Sequence, residues 1–146
     1  MTAIPRIPIP TGEIEGAFVD FVAASGVLPG MTVLRASDRS TEVVPPYVFC
    51  WAQKVAPCGN GYYVATVRIV AVTNIDDTND EQRGELLAKL FALFSPYDEA
   101  GKPRSFASRS GAVCVRGWEM PTPQEASDGQ EAGSAITFTA GVQLIG

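Results

Sequence analysis

The sequence contains no histidine, which removes several common kinds of active site. Without imidazole, a single chain cannot form a Ser-His-Asp or Cys-His nucleophile, a histidine-ligated zinc centre or an imidazole general base. The three cysteines, Cys50, Cys58 and Cys114, are an odd number, and their spacing fits neither a zinc site nor a Cys-x-x-Cys motif. We therefore expect buried, reduced cysteines, with a disulfide or redox site as the less favoured alternative.

Charged residues and long apolar runs are also scarce. Charged residues make up 18% of the chain and the net charge is -5, which argues against a surface that binds duplex DNA. We find no run of apolar residues long enough to span a bilayer and no signal-peptide pattern, so we expect a soluble protein. The 146 residues, 46% of them hydrophobic, suit one domain with a single core. The low charge fits apolar surface covered by other subunits as well as it fits a well-filled monomer core.

Two helices are predicted from apolar residues that recur on one face. The first covers about Gly12 to Ser25, with Thr11 as a candidate N-cap and Gly26 suited to the left-handed position after the helix. The second begins at Thr78, because Thr78 to Glu81 matches a capping box, and it ends near Phe94. Both helices have one apolar side that suits packing against a sheet.

Strands are predicted from runs rich in β-branched and aromatic residues. These runs are Met31 to Ala36, Tyr47 to Val55, Tyr62 to Thr73, Val113 to Met120 and Ala135 to Ile145. The turn cluster Pro57 to Gly61 predicts that the second and third runs pair as an antiparallel hairpin. Pro121 to Gly133 is polar and acidic, so we expect an exposed connection there. The predicted fold class is α+β: a mostly antiparallel sheet of four to five strands with two helices packed on one face.

Two segments are candidate contact elements. Residues 1–10 are predicted to form an extended, proline-rich arm ahead of a single α+β domain at residues 11–146, and the arm either lies on its own domain or crosses to a neighbouring subunit. Ser95 to Gly111 lacks periodicity and carries Lys102, Arg104 and Arg109 with no acidic residue after Glu99, and it is either a solvated mobile loop or an interaction loop. The candidate contact residues in the two segments are Ile4, Arg6, Ile7, Ile9, Lys102, Arg104, Phe106 and Arg109.

Two other motifs have simpler explanations. The acidic residues Asp76, Asp77, Asp80 and Glu81 could bind a divalent cation, but helix capping explains acid at a helix start, and no metal or cofactor is predicted. The aromatic residues Tyr47, Phe49 and Trp51 alternate along a strand near Lys54 and Arg68. They could stack single-stranded nucleic acid, although core packing or subunit contact is the favoured interpretation.

The order of elements resembles the tail terminator proteins of tailed bacteriophages, the lambda-like minor tail or tail completion proteins. The resemblance spans about Thr11 to Ile145 and rests on patterns of hydrophobicity and turns. These are the leading amphipathic helix, the strand after Pro45-Pro46-Tyr47-Val48, the long strand Val64 to Thr73, the Asp76-Asp77-Thr78 turn into the second helix, and the closing strand after an acidic connection.

The resemblance implies a structural virion protein with no catalytic residue. Members of that family are small α+β proteins that form hexameric rings at the head-proximal end of the tail tube, stop its polymerisation and join the tail to the neck. The implied partners are further copies of the chain, the tail tube protein and a neck or head-completion protein, with genomic DNA passing through the ring without sequence-specific binding. The implied location is the virion, after assembly in the host cytoplasm, with no membrane contact. The alternatives are a head-to-tail adaptor or stopper and, less favoured, a small-molecule-binding α+β domain.

Overall fold

The computed structural model describes residues 10–38, 44, 46–74, 79–128 and 131–145. The arm at residues 1–9, with Ile4, Arg6, Ile7 and Ile9, and the turn at residues 75–78 therefore lie outside the described residues. The elements are α1 (Thr11–Ser25), β1 (Thr32–Arg35), a 3-10 turn (Ala36–Asp38), β2 (Tyr47–Gly59), β3 (Tyr62–Asn74), α2 (Asn79–Leu93), β4 (Phe106–Ala107), β5 (Val113–Trp118), β6 (Thr122–Asp128) and β7 (Glu131–Leu144).

A single seven-stranded sheet with the order β1-β2-β3-β7-β5-β4 forms most of the molecule, and β6 also pairs with β7. The predicted hairpin of β2 and β3 is confirmed, and β1 runs parallel to β2. β5 and β6 follow each other along the same edge of β7, so that residues 119–121 stand opposite only residues 138–139. At this irregularity the Glu119 amide donates to the Thr139 carbonyl at 3.0 Å.

The predicted fold class, a mostly antiparallel sheet of four to five strands with two helices on one face, is wrong. The sheet is mixed, has seven strands and curls into a half-barrel; strands make up about 47% of the chain and helices about 25%. The segment predicted as an exposed connection contains β6, which pairs with β7 from Thr122 to Asp128. Backbone hydrogen bonds define this edge strand, and its sequence Thr-Pro-Gln-Glu-Ala-Ser-Asp lacks the β-branched and aromatic pattern of a central strand.

α1 follows the predicted spacing, since Ile14, Ala17, Phe18 and Val22 are buried. The helix ends at Gly26, whose φ of 71° is the left-handed conformation that glycine adopts without strain. The N-cap differs from the prediction. It is Pro10, with no side-chain cap, and the Pro10 carbonyl accepts from the Ile14 amide at 3.0 Å.

The two faces of the sheet have different surroundings. The face against which the helices pack, called here the helix face, carries the main core, including Val48, Cys50, Val67, Ile69, Ile136 and Phe138 together with residues of α1 and α2. The opposite face, called the outer sheet face, has a smaller apolar cluster of Tyr47, Phe49 and Val72 at one end. Within the described residues, no helix is long and apolar enough to cross a membrane.

Candidate interaction surfaces

The basic segment between α2 and β5 is anchored to the core through Arg104. Its Nη1 donates to the carbonyl oxygens of Leu93 at 2.7 Å and Ser95 at 3.0 Å. These carbonyls lie at the C-terminal end of α2, where the helix leaves acceptors unpaired and its dipole attracts a cation. The guanidinium also lies 5.7 Å from the ring centroid of Phe21 and 5.6 Å from that of Trp118. Arg104 therefore fastens its own segment to the helix and to α1.

Phe106 is held in the same aromatic cluster. Its ring stacks on Phe21 with centroids 4.2 Å apart and meets Phe18 edge-on at 5.2 Å. Trp118 lies 5.6 Å away and donates its indole N–H to the Phe94 carbonyl at 2.8 Å. β4, the two-residue strand that contains Phe106, pairs with β5. The segment predicted as either a mobile or an interacting loop is thus fixed at Arg104 and Phe106.

Lys102 and Arg109, the other two contact candidates of this segment, are exposed. The Arg109 amide donates to Asp20 Oδ2 of α1 at 3.0 Å. Beside this bond lies an open cavity of about 520 Å³, lined by Asp20, Phe21, Ala23, Ala24, Ala107 and Arg109. The structure therefore separates the four described candidates into two that pack inward and two that face solvent.

A β-bulge in β2 determines which side chains share the outer sheet face. Trp51 stands opposite Arg68, Ala52 opposite Val67, and Lys54 opposite Thr66, so Gln53 is an additional residue in β2. Because side chains alternate along a regular strand, Trp51 and Lys54 would otherwise lie on opposite faces. The bulge places both of them on the outer sheet face with Arg68.

The bulge is stabilised from the helix side by Glu15, a buried acidic residue of α1. Its Oε2 accepts from the Ala52 amide at 3.0 Å, while Oε1 is buried without a partner. Burial raises the pKa of the Cys50 thiol, and the nearby Glu15 carboxylate raises it further. Glu15 therefore acts as an internal acceptor for a backbone group that the irregular strand pairing leaves available.

Arg68 is the least satisfied cation of the outer sheet face. Its side chain is half-buried, its Nε is fully buried without a hydrogen-bond partner, and it forms no ion pair with any residue that the structure describes. Thr137, directly opposite on β7, has a buried Oγ1 that also lacks a partner. A buried polar group without a partner costs about 1–3 kcal/mol, so Arg68 lowers the stability of the isolated chain at this position.

Exposed aromatic and basic residues extend around Arg68. Trp51 is 37% exposed and Tyr62 is 44% exposed, although both lie on the central strands. β2, β3 and β5 contain Lys54, Arg68 and Arg116 and no acidic residue. Removing these three from the 11 cations leaves 8 against 16 acidic residues, so the rest of the chain carries -8. The strands β2, β3 and β5 thus carry only cations in a chain that is acidic as a whole.

The three cysteines show no paired or ligating arrangement. Cys50 and Cys114 are buried and Cys58 is exposed, and all three are free thiols. The described part of the chain has no group of three or more His, Cys, Asp or Glu residues arranged to hold a metal ion. The charged pair of Arg35 and Asp38, 2.8 Å apart, is local, and the hydrogen bond from Arg35 lowers the pKa of Asp38.

The sequence pattern draws attention to Trp51, Lys54 and Arg68, but it favours core packing or subunit contact for the aromatic residues of this strand. Tyr47 and Phe49 are indeed buried, whereas Trp51 is exposed. Neither the bulge nor the unpartnered Arg68 Nε has a signal in the sequence, because each depends on how β2, β3 and β7 align.

Comparisons with known proteins give information on the fold alone. No protein-family model matches the chain, and no curated protein matches it. Four solved chains are similar. One of them, a protein whose name describes no function, superposes with a TM-score of 0.55 at 19% identity, covering 92% of this chain and 93% of that chain. At this identity the likeness shows that the two chains share an architecture along nearly their whole length.

Proposed function

We propose that this protein is a structural subunit of a tailed-phage virion, a tail terminator that forms a ring at the head-proximal end of the tail tube. The observation that carries the proposal is the outer sheet face, where Arg68 has no partner beside the exposed Trp51. Tryptophan and arginine are the residues most enriched at the energetic centres of protein interfaces. The resemblance in the order of elements supports the same function.

The small-molecule alternative has less support in the described residues. A ligand pocket needs several polar groups that converge on an enclosed space. The open cavity of about 520 Å³ beside α1 is lined by three alanines and Phe21, with Asp20 and Arg109 as its charged residues. One oxygen of Asp20 already accepts the Arg109 amide. This cavity offers few groups with which to orient a substrate.

The proposal is tested by mixing the purified protein with tail tubes assembled without a terminator and imaging the tubes by electron microscopy. A terminator produces a ring at one end of each tube and tubes of uniform length. Tubes that stay bare and vary in length would contradict the proposal. A head-to-tail adaptor, the alternative within the same class, would instead bind DNA-filled heads and leave the tubes unchanged, so the same preparation is also mixed with tailless heads.

A further inference from the structure

A narrow groove lies on the helix side of the molecule, between α2 and the segment that leads into β1. It has a volume of about 190 Å³ and is lined by Leu28, Pro29, Met31, Leu86, Glu85 and Lys89. This volume is below the roughly 300–1,000 Å³ of small-molecule sites, and it suits a single large side chain. Four of the six lining residues are apolar, so the groove favours an apolar group.

Glu85 gives the rim of this groove an available carboxylate. It is exposed, and among the described residues its side chain has no hydrogen-bond or ion-pair partner, although Lys89 lies four residues further along α2. The outer sheet face has the complementary pair of groups, because the exposed Trp51 stands directly opposite the unpartnered Arg68. An indole fits an apolar groove, and a guanidinium pairs well with a carboxylate.

We propose that the outer sheet face of one copy docks onto the helix side of a second copy, with Trp51 in the groove and Arg68 paired with the second copy's Glu85. This inference rests on the proposed ring function and names the contact between its subunits. Since the two surfaces differ, the contact is heterologous, and repeated contacts of this type close into a ring when the rotation permits. Two outer sheet faces packed together would supply no carboxylate from β2, β3 or β5 to pair with Arg68.

Charge favours the same arrangement. The basic strands of the outer sheet face carry three cations, and the remainder of the chain carries -8. A second copy is therefore acidic outside these strands, and the association should weaken as salt is added. Lys89 is the unfavourable group in this contact, because it lies on the rim toward which Arg68 points. Removing its charge should strengthen the docking.

The test is the association constant between copies, measured by sedimentation equilibrium up to millimolar concentration. Trp51→Ala, Arg68→Glu and Glu85→Lys should each weaken association about tenfold, the loss expected when an anchor of about 1.4 kcal/mol is removed. The double variant Arg68→Glu/Glu85→Lys should recover most of that loss, and Lys89→Ala should strengthen association. Glu99→Lys, the same charge change as Glu85→Lys at an exposed position outside both surfaces, is the matched control and should have no effect.

Thermal unfolding of every variant checks that it is folded, and the double variant keeps the test valid even if one single variant is unstable. A wild-type chain that stays monomeric at all concentrations overturns the inference. So do single variants with unchanged association, or a double variant no better than its parents. Loss of oligothymidylate binding in Arg68→Glu, with self-association unchanged, would also overturn it and identify nucleic-acid phosphate as the partner.

Failure of this inference is distinguishable from failure of the proposed function. Rings at tube ends that persist in Trp51→Ala and Arg68→Glu would overturn the docking contact and leave the terminator function standing. Self-association that depends on Trp51, Arg68 and Glu85, together with tubes that never acquire a ring, would support the contact and overturn the terminator function.

Discussion

Replacing Arg104 with methionine tests whether the basic segment is a fixed part of the fold. Methionine keeps an unbranched apolar side chain and removes the guanidinium. The change deletes the two bonds from Nη1 to the Leu93 and Ser95 carbonyls and the contacts with the Phe21 and Trp118 rings. The C-terminal carbonyls of α2, which form the negative end of the helix dipole, then lose their cation.

The expected loss of stability follows from these contacts. A hydrogen bond to a charged group contributes about 1.5–3 kcal/mol, but Arg104 is half-buried and both bonds share one nitrogen, so we take about 2 kcal/mol for the pair. A cation over an aromatic ring contributes about 0.5–1 kcal/mol where it is partly solvated. Because neighbouring contacts do not add fully, the total is about 2–3 kcal/mol. For a chain of this size this corresponds to a decrease in Tm of about 5–10 °C.

The measurement is thermal unfolding by circular dichroism, with two further variants for comparison. Arg104→Lys keeps the charge but not the planar donor, so it should recover only part of the loss. Lys102→Met removes an exposed cation from the same segment and should change stability by no more than about 0.5 kcal/mol. If the Tm of Arg104→Met lies within about 1 °C of the wild-type Tm, the reasoning is refuted, because a loss of about 2 kcal/mol should lower Tm by several degrees.

Three further predictions concern the aromatic cluster, the bulge and the cysteines. Phe106→Ala removes the ring stacked on Phe21 and should lower the free energy of unfolding by about 2–4 kcal/mol. In urea unfolding this appears as a lower midpoint with an unchanged slope. An unchanged midpoint would show that the stack adds no stability. Glu15→Ala should lower the free energy of unfolding by about 1–3 kcal/mol, because the Ala52 amide loses its acceptor. Glu15→Gln keeps an acceptor oxygen and should cost less stability. Equal losses for the two variants would mean that this hydrogen bond is not the cause. A thiol reagent should modify Cys58 in the folded protein and reach Cys50 and Cys114 only on unfolding. The reason is that Cys50 and Cys114 are buried, and burial also raises the pKa of the Cys50 thiol. Equal modification rates for all three cysteines would contradict their difference in burial.

The elements that could be predicted are those with a strong side-chain pattern. α1, β2, β3 and β7 are dense in periodic apolar or β-branched residues, and their approximate positions followed from the sequence. β4 and β6 could not be predicted in this way, because they exist through backbone hydrogen bonds to β5 and β7. A polar edge strand and an exposed connection have similar compositions, so residue type alone does not separate them.

The same limit applies to the surfaces. Phe106 offered one signal, since it is the only phenylalanine between Phe94 and Phe138, and a phenylalanine in a polar segment favours an anchor. Arg104 offered none, because cations in a loop are usually solvated. The grouping of Trp51, Lys54 and Arg68 depends on one additional residue in β2, and a shift of one residue reverses every following side chain.

Arg68 separates the demands of folding from those of assembly. In the isolated chain its buried, unpartnered Nε lowers stability, so replacing Arg68 with methionine should leave the isolated chain as stable as before or slightly more stable. In the proposed assembly the same replacement removes the partner of Glu85 and weakens association. A replacement that preserves or raises the stability of the isolated chain and weakens association between copies indicates a residue retained for binding. Arg104 differs, because its Nη1 already donates to two carbonyls within the chain, and its replacement should reduce stability first. If both replacements reduced stability alike, the outer sheet face would be part of the internal structure, and the docking surface would have to be sought elsewhere.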